Sequence, residues 1–323
     1  MVGDLLRKLA GSAPGPWLLR VNFQEPHLPC RPTAAFARMY STDDVPVWGS
    51  FAETFEGKPY IQEQQLLSWN VQDYSWRDWA PIVARYYAVI SQLDDAVGSL
   101  LRQLNAMSLR DSTLVIFTAD HGDLCGGHRM MDKHYVMYED VVKVPLAISW
   151  PGVISAGTSC DRFVYNLLDM PPTLLEAAQC AAPEPEEHRF HGMSLMTLMQ
   201  DGQPASWREE VVATYNGQQF GLYTQRMIRT REWKYVWNPT DVDELYDMKS
   251  DPHELHNVLR HPGNRGILQD LRRRLYETLL RDGDGLVRND WMKRQLLEGR
   301  KKIRCTLGGP IFPDMSLSRW PFG

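Results

Sequence analysis

One short segment constrains the fold of this chain more than any other: four apolar residues, Leu114 to Phe117, run directly into Thr118-Ala119-Asp120-His121-Gly122. A fully apolar run of this length is typical of a strand buried on both faces, and such strands belong to parallel sheets covered by helices. Asp120 then lies just past the carboxyl end of the strand, where ligands bind in open α/β sheets. The segment predicts a central parallel strand with a polar site at its end.

Segments of strand and helix character alternate as far as residue 180. Trp17 to Phe23 and Val144 to Trp150 are apolar runs of strand length. Between them, Ile82 to Leu104 carries apolar residues at three- and four-residue steps, which is the spacing of an amphipathic helix. Asp169, placed before two prolines, is suited to cap another helix. The alternation predicts an α/β fold with a mostly parallel sheet sandwiched by helices.

The pattern changes near residue 205. Three short β-prone segments of alternating polarity predict an antiparallel sheet, and a leucine-rich segment predicts a closing helix: Val211 to Tyr215, Gly221 to Arg229, Trp233 to Trp237, and Leu268 to Leu279. We therefore divide the chain into a catalytic domain over residues 1–205 and a smaller α+β domain over 206–323. Residues 31–79 show no sustained periodicity, which predicts a long excursion over the surface.

Charge and composition exclude several classes of protein. The net charge of −5 argues against a nucleic-acid partner, which normally requires a clustered basic surface. No run approaches the ~20 apolar residues that span a bilayer, so we expect no membrane segment. The five cysteines are an odd number and include no Cys-x-x-Cys pair, which favours a reduced, cytoplasmic setting.

Four residues could carry chemistry. Asp120 and His121 offer a carboxylate oxygen and an imidazole nitrogen side by side, which suits a divalent cation or, alternatively, a hydrogen-bonded pair that merely ends a strand. Two ligands are fewer than calcium or zinc sites require. Lys133 could neutralise an oxyanion or be a solvated surface residue. His27 could donate to an anionic oxygen, protonate a leaving group, or serve only structure.

Taken together, these residues resemble the second half of a sulfatase active site in both order and spacing. The resemblance rests on Phe117 to Asp123, Lys133, Tyr138-Glu139 and Val144-Pro145-Leu146, with further agreement at Gln24 to Pro29, Tyr86 to Ser91, Leu168 to Leu175, Glu244 to Asp247 and Asp251-Pro252-His253-Glu254. The chain is thus similar to the sulfatases of the alkaline phosphatase superfamily. Histidine after Asp120, where asparagine is more common, resembles the branch of choline-sulfatase-like and phosphonate monoester hydrolase-like enzymes.

The resemblance implies an alkaline phosphatase-like fold and the hydrolysis of a small anionic ester. The expected substrates are sulfate esters, with phosphonate monoesters or phosphodiesters as a wider class. Asp120 and His121 match metal ligands, and His27 and Lys133 match residues that bind the sulfate or phosphonate oxygens. Calcium, manganese or magnesium would suit such ligands, and zinc is compatible through His121.

The sequence also departs from the family pattern. Sulfatases begin with paired acidic ligands and Cys-x-Pro-x-Arg, whose cysteine or serine becomes a formylglycine nucleophile. The nearest match here is Cys30-Arg31-Pro32-Thr33-Ala34, with alanine in place of the arginine. We therefore expect a catalytic domain that is incomplete at its N-terminus, with formylglycine not encoded in these residues. The alternative is an inactive sulfatase-like remnant that binds an anion or a protein partner. An exposed strand edge would favour a homo-oligomer.

Overall fold

The computed structural model describes residues 2–12, 15–180, 190–201, 204, 206–217 and 222–301. Its helices are α1 (Val2–Ser12), α2 (Ala34–Ala37), α3 (Tyr60–Trp69), α4 (Trp76–Ala106), α5 (Glu139–Val142), α6 (Met170–Ala177), α7 (Met196–Asp201), α8 (Arg265–Arg281) and α9 (Asp290–Glu298). Its strands are β1 (Val115–Thr118), β2 (Leu146–Ser149), β3 (Glu210–Tyr215), β4 (Gln225–Thr230), β5 (Trp233–Trp237) and β6 (Glu244–Asp247).

Helix α4 confirms the amphipathic helix predicted from the apolar spacing. It begins with a capping box, in which the carboxylate of Asp78 accepts a hydrogen bond from the backbone N–H of Ser75 at 2.9 Å. Trp79, Val83 and Val89 on its inward face are fully buried. Within the described ranges, neither α4 nor any other helix is long and apolar enough to cross a membrane.

Strand β1 lies where the sequence predicts a strand, but its neighbour runs in the opposite direction. β1 pairs antiparallel with β2, from Val115 opposite Ser149 to Thr118 opposite Leu146. Residues 17–23 join no sheet, and Leu18 among them is 72% exposed. The α/β class is confirmed, whereas the predictions of a parallel neighbour for β1 and of a strand at residues 17–23 are wrong for the described residues. The apolar content of a strand indicates that it is buried, but it does not identify the neighbouring strand or the direction in which that strand runs.

The C-terminal unit consists of β3 to β6 with helices α8 and α9. The four strands form an antiparallel meander in chain order, which confirms the predicted sheet. Leu271, Leu275 and Leu279 of α8 pack on the sheet residues Ile228 and Tyr235 and are fully buried. The predicted boundary at residue 205 lies outside the described residues and stays a prediction, as does the part of the second predicted strand at Gly221.

Residues 31–79 are not a surface excursion, contrary to the prediction. They contain α3, and Leu66, Val71 and Trp79 belong to a core cluster that also includes Tyr138 and Tyr246. The segment lacks periodicity because it buries polar side chains among the apolar ones, namely Glu53, Lys58, Gln62 and Gln65. These polar groups hold the site described below.

Candidate functional site

The two predicted metal ligands lie on a tight turn just after β1, which we call the Asp-His turn (Asp120-His121-Gly122). The side chain of Asp120 is 76% exposed, and its Oδ1 accepts a hydrogen bond from the backbone N–H of His121 at 3.0 Å. His121 Nδ1 donates to the carbonyl of Gly122 at 2.8 Å, because a carbonyl can only accept. In the neutral ring, the lone pair is then on His121 Nε2, which lies 3.7 Å from Asp120 Oδ2.

This donor pair fits a divalent cation in chemistry and in arrangement. A carboxylate oxygen and a neutral imidazole nitrogen are both common ligands of such ions, and here they lie side by side at an exposed turn. Across the described ranges, no group of three or more histidine, cysteine, aspartate or glutamate side chains could hold a metal ion. Asp120 and His121 could thus supply two of the ligands that such an ion requires.

Backbone contacts fix the Asp-His turn on two sides. The N–H of Gly122 donates to the carbonyl of Val141 in α5 at 2.8 Å, and the side-chain amide of Asn166 donates to the carbonyl of Ala119. A Cβ at Gly122 would lie 1.9 Å from the carbonyl oxygen of Asp140. Only glycine allows α5 to approach this closely, so the geometry of the turn depends on residue 122.

The third and fourth predicted residues contact each other directly, although 106 residues separate them in the chain. Lys133 Nζ lies 2.6 Å from His27 Nε2. His27 Nδ1 donates to the carbonyl of Leu28 at 2.7 Å, so Nε2 is the acceptor for the lysine ammonium. Asp132 Oδ1 lies 3.0 Å from the same ammonium. The ammonium is thus placed between an imidazole that accepts its hydrogen bond and a carboxylate that forms an ion pair with it.

Lys133 belongs to a loop with unusual backbone geometry, the lysine loop (residues 123–138). Five of its non-glycine residues have positive φ between 38° and 67°, namely Cys125, His128, Arg129, Asp132 and Tyr135. Left-handed backbone costs energy for L-residues and persists where the surroundings impose it. Buried side chains from elsewhere in the chain provide that constraint: Glu53 on His128, Gln65 on the carbonyl of Met131, and Lys234 on the carbonyl of Met137.

Sequence reasoning missed these supporting residues. Glu53, Gln65 and Lys234 are fully buried, yet in the sequence each looks like an ordinary polar residue. The sequence contained one weak signal. Lys234 stands inside the apolar segment of β5, where a lysine with a solvated side chain is not expected. The lysine loop is thus held by side chains from three places, namely α3, the segment before α3, and the C-terminal unit.

His128 is a fully buried titratable group of the lysine loop. Its ring stacks on Tyr138 with centroids 3.6 Å apart, and its Nδ1 lies 2.7 Å from Glu53 Oε2. Burial lowers the pKa of His128 to about 4, although the carboxylate of Glu53 opposes this shift. The imidazole is therefore neutral near pH 7 and donates its Nδ1 hydrogen to Glu53.

Replacing His128 by glutamine should change how stability depends on pH. The folded-state pKa of His128 is about 4, below the ordinary value of 6.5. Its contribution is therefore present above 6.5 and is lost as the pH falls towards 4. The stability advantage of the wild type over His128→Gln should shrink by about 3 kcal/mol across that interval. Urea unfolding of both proteins measures the difference, and a constant difference would contradict a buried neutral histidine.

Three of the four predicted residues, Asp120, His121 and Lys133, line the same cleft of about 1670 Å³. His27 is joined to this group through its contact with Lys133. The walls come largely from apolar side chains of α5, β2 and β3, with Lys143, Arg229 and Arg231 among the charged residues. A polar site therefore lies at one part of a long, mostly apolar cleft.

Cys30 does not have the properties of a nucleophile. Its thiol contacts the carbonyl of Pro26 at 3.6 Å. Burial, with the nearby Asp123 carboxylate, raises the pKa of this thiol to about 11, so it stays protonated at neutral pH. Ala34 also occupies the position of the expected arginine.

Two family profiles match this chain. The profile of the family described as "Sulfatase" matches residues 2–180, and that described as "N-sulphoglucosamine sulphohydrolase, C-terminal" matches residues 126–281. Because the first match covers more than half of the 323 residues, the chain belongs to the sulfatase family. Its structural neighbours include sulfatases and phosphonate monoester hydrolases, which have the predicted alkaline phosphatase-like fold.

Individual relatives are similar at a moderate level. Choline-sulfatase of Rhizobium meliloti is 30% identical over 251 residues, covering 76% of this chain and 47% of that protein. Arylsulfatase of Clostridium perfringens is 27% identical over 281 residues, covering 85% and 56%. The solved phosphonate monoester hydrolase of Agrobacterium radiobacter superimposes with a TM-score of 0.72 at 25% identity, covering 92% of this chain and 60% of that one.

The chain matches only part of each relative. It covers 34% of N-acetylglucosamine-6-O-sulfatase and 60% of Delta 4,5-hexuronate-2-O-sulfatase, both of Bacteroides thetaiotaomicron. It covers 56% of the arylsulfatase of Clostridium perfringens. The matched part includes the Asp-His turn and the lysine loop, since the sulfatase profile extends across both.

Proposed function

We propose that this chain supplies two metal ligands and an anion clamp to an enzyme that hydrolyses sulfate esters. The ligands are Asp120 and His121, and the anion clamp is the pair His27 and Lys133. The single observation that supports this most is the 2.6 Å contact between His27 and Lys133. It brings a charged donor and an imidazole together from distant parts of the chain, and Lys133 lines the cleft that Asp120 and His121 also line.

Each residue has a distinct task in this proposal. A divalent cation held by Asp120 and His121 would supply positive charge to an oxygen of the bound ester. Lys133 donates an N–H to a second oxygen, and its charge compensates that of the anion. His27 Nε2 accepts an N–H of Lys133 in the described tautomer, so His27 orients the ammonium towards the anion.

The proposed substrate is a small anionic ester. Sulfate esters are favoured because the chain belongs to the sulfatase family and because several relatives are named as sulfatases. Phosphonate monoesters are the second candidate, supported by the structural match to a phosphonate monoester hydrolase at a TM-score of 0.72. Sulfatases generally use a divalent metal and formylglycine, and we propose that this protein also uses a divalent metal.

Metal binding by the Asp-His turn is tested by replacing Asp120. Asp120→Asn should weaken binding of Ca²⁺ or Mn²⁺ by about 100-fold or more, because even outer partners of metal ligands contribute about 10- to 100-fold to affinity. Calorimetry of the purified chain measures the dissociation constant. Asp111→Asn is the matched control, since Asp111 is an exposed carboxylate before β1, at the end away from the turn. Equal affinities for wild type and Asp120→Asn would contradict the assignment.

Turnover distinguishes the two candidate substrates from the non-catalytic alternative. An aryl sulfate and an aryl phosphonate are offered to the protein with Ca²⁺ or Mn²⁺ present. Hydrolysis of the sulfate that is lost in Asp120→Asn supports the proposal, and preference for the phosphonate favours the second candidate. Sulfate binding without turnover of either ester supports an anion-binding role. Turnover that survives Asp120→Asn would contradict the proposed site.

A further inference from the structure

One motif of the C-terminal unit plays no part in the site described so far: Asp251-Pro252-His253-Glu254, which follows β6. Glu254 at its end is 1% exposed and has a left-handed φ of 54°. Its Oε2 accepts a hydrogen bond at 2.7 Å from the backbone N–H of Glu139, the first residue of α5. A surface turn requires neither the burial nor the long-range contact, so this carboxylate serves another element.

A buried lysine connects Glu254 to the end of the lysine loop. Lys234 of β5 is fully buried, and its Nζ lies 2.7 Å from Glu254 Oε1 and 2.8 Å from Glu139 Oε1. The same ammonium donates to the carbonyl of Met137 at 2.9 Å. Buried charges are tolerated only when they are paired, and these pairs converge on residues 137–139. The C-terminal unit thus holds the chain immediately after the lysine loop.

From this point, hydrogen bonds lead to the metal-ligand pair. Glu139 begins α5, a single helical turn in which the N–H of Val141 bonds the carbonyl of Tyr138 at 2.9 Å. The carbonyl of Val141 accepts from the N–H of Gly122 at 2.8 Å. The carbonyl of Gly122 in turn accepts from His121 Nδ1. A displacement of α5 would therefore move the backbone that orients the imidazole.

We propose that Glu254 is a positioning residue: acting through α5, it holds the Asp-His turn in the conformation that presents Asp120 and His121 together. The hydrogen-bonded path from Glu254 to Gly122 carries this inference, and only its consequence for metal affinity rests on the proposed function. The motif after β6 thereby acquires a role in the site, although it lies in the other structural unit of the chain.

Hydrogen exchange of the Gly122 amide tests the path without any ligand. In Glu254→Gln the side chain keeps its size but loses the charge that pairs with Lys234, so α5 is held less firmly. Peptides spanning residues 119–124 should exchange about tenfold faster than in wild type, the change that corresponds to ~1.4 kcal/mol of local opening. The comparison is made above pH 7, because burial raises the pKa of Glu254 to about 7.

Asp243→Asn is the matched control. Asp243 is also a buried carboxylate of the C-terminal unit with two cationic partners, Arg272 and Lys301, and it is hydrogen-bonded within that unit. This variant should leave exchange at residues 119–124 unchanged. Glu254→Asp, which keeps the charge but withdraws it by one methylene, gives a second test if the glutamine variant does not fold.

The outcomes separate this inference from the proposed function. Faster exchange at residues 119–124 in the Glu254 variants, with β4 and β5 still protected, supports the positioning role. Unchanged exchange there, or an equal increase in Asp243→Asn, overturns it whatever the metal affinity. Calorimetry then adds a second readout: Glu254→Gln should weaken Ca²⁺ or Mn²⁺ binding about tenfold if the proposed metal site is also correct.

Discussion

Replacing Lys133 by methionine is expected to weaken the binding of inorganic sulfate by about 100-fold, which corresponds to ~2.7 kcal/mol. The substitution removes the charged donor of the anion clamp and leaves the buried carboxylate of Asp132 without the ammonium that lies 3.0 Å from it. Hydrogen bonds to charged groups contribute more than neutral ones, and the anion would lose such a bond together with its compensating charge. Calorimetric titration with sulfate measures the loss.

Lys143→Met provides the control for this experiment. Lys143 lines the same cleft but is exposed at its surface, and it contributes a similar charge without contacting His27. Its replacement should change sulfate affinity by less than about threefold, as expected for a screened surface charge. If Lys143→Met and Lys133→Met weakened sulfate binding equally, the anion would be held by the general charge of the cleft and not by the clamp.

Replacing Gly122 by alanine is expected to lower the free energy of unfolding by about 3 kcal/mol, within the range found for overpacked sites. The added Cβ would lie 1.9 Å from the carbonyl of Asp140. Relief requires α5 and the Asp-His turn to separate, which breaks the hydrogen bond from Gly122 to Val141. Metal binding should be lost together with stability, because Asp120 and His121 are presented by the same turn.

Urea unfolding measures the stability change, and Gly266→Ala is the control. Gly266 lies in α8 with no atom within 4 Å of an added Cβ, and alanine is favoured over glycine inside a helix. That variant should be as stable as wild type or more stable. A Gly122→Ala protein with wild-type stability and metal affinity would show that close contact with α5 is not required.

The sequence allowed much of the secondary structure to be predicted because local patterns determine it. The three- and four-residue spacing of apolar residues predicted α4, and alternating polarity predicted the C-terminal sheet; the structure confirms both. The partner of β1 was predicted wrongly, since a run such as Leu114 to Phe117 indicates burial but carries no information on strand direction. Pairing depends on the path of the chain between Thr118 and Leu146.

Four candidate site residues could be selected from the sequence, but the groups that hold them could not. Asp120, His121, Lys133 and His27 were identified by order and spacing, and the structure places Lys133 against His27. Glu53, Lys234 and Glu254 act through contacts that span 75, 97 and 115 residues. Such pairs arise from tertiary packing, and no local pattern of a single sequence shows them.

We propose that the Asp-His turn and the anion clamp form one site. The direct test is sulfate affinity measured by calorimetry with and without saturating Ca²⁺ or Mn²⁺. If both act on the same anion, the metal should strengthen sulfate binding by about tenfold or more, a coupling of at least ~1.4 kcal/mol, and Asp120→Asn should abolish that coupling. Sulfate affinity that is the same with and without metal, in a protein that binds both, would contradict the account.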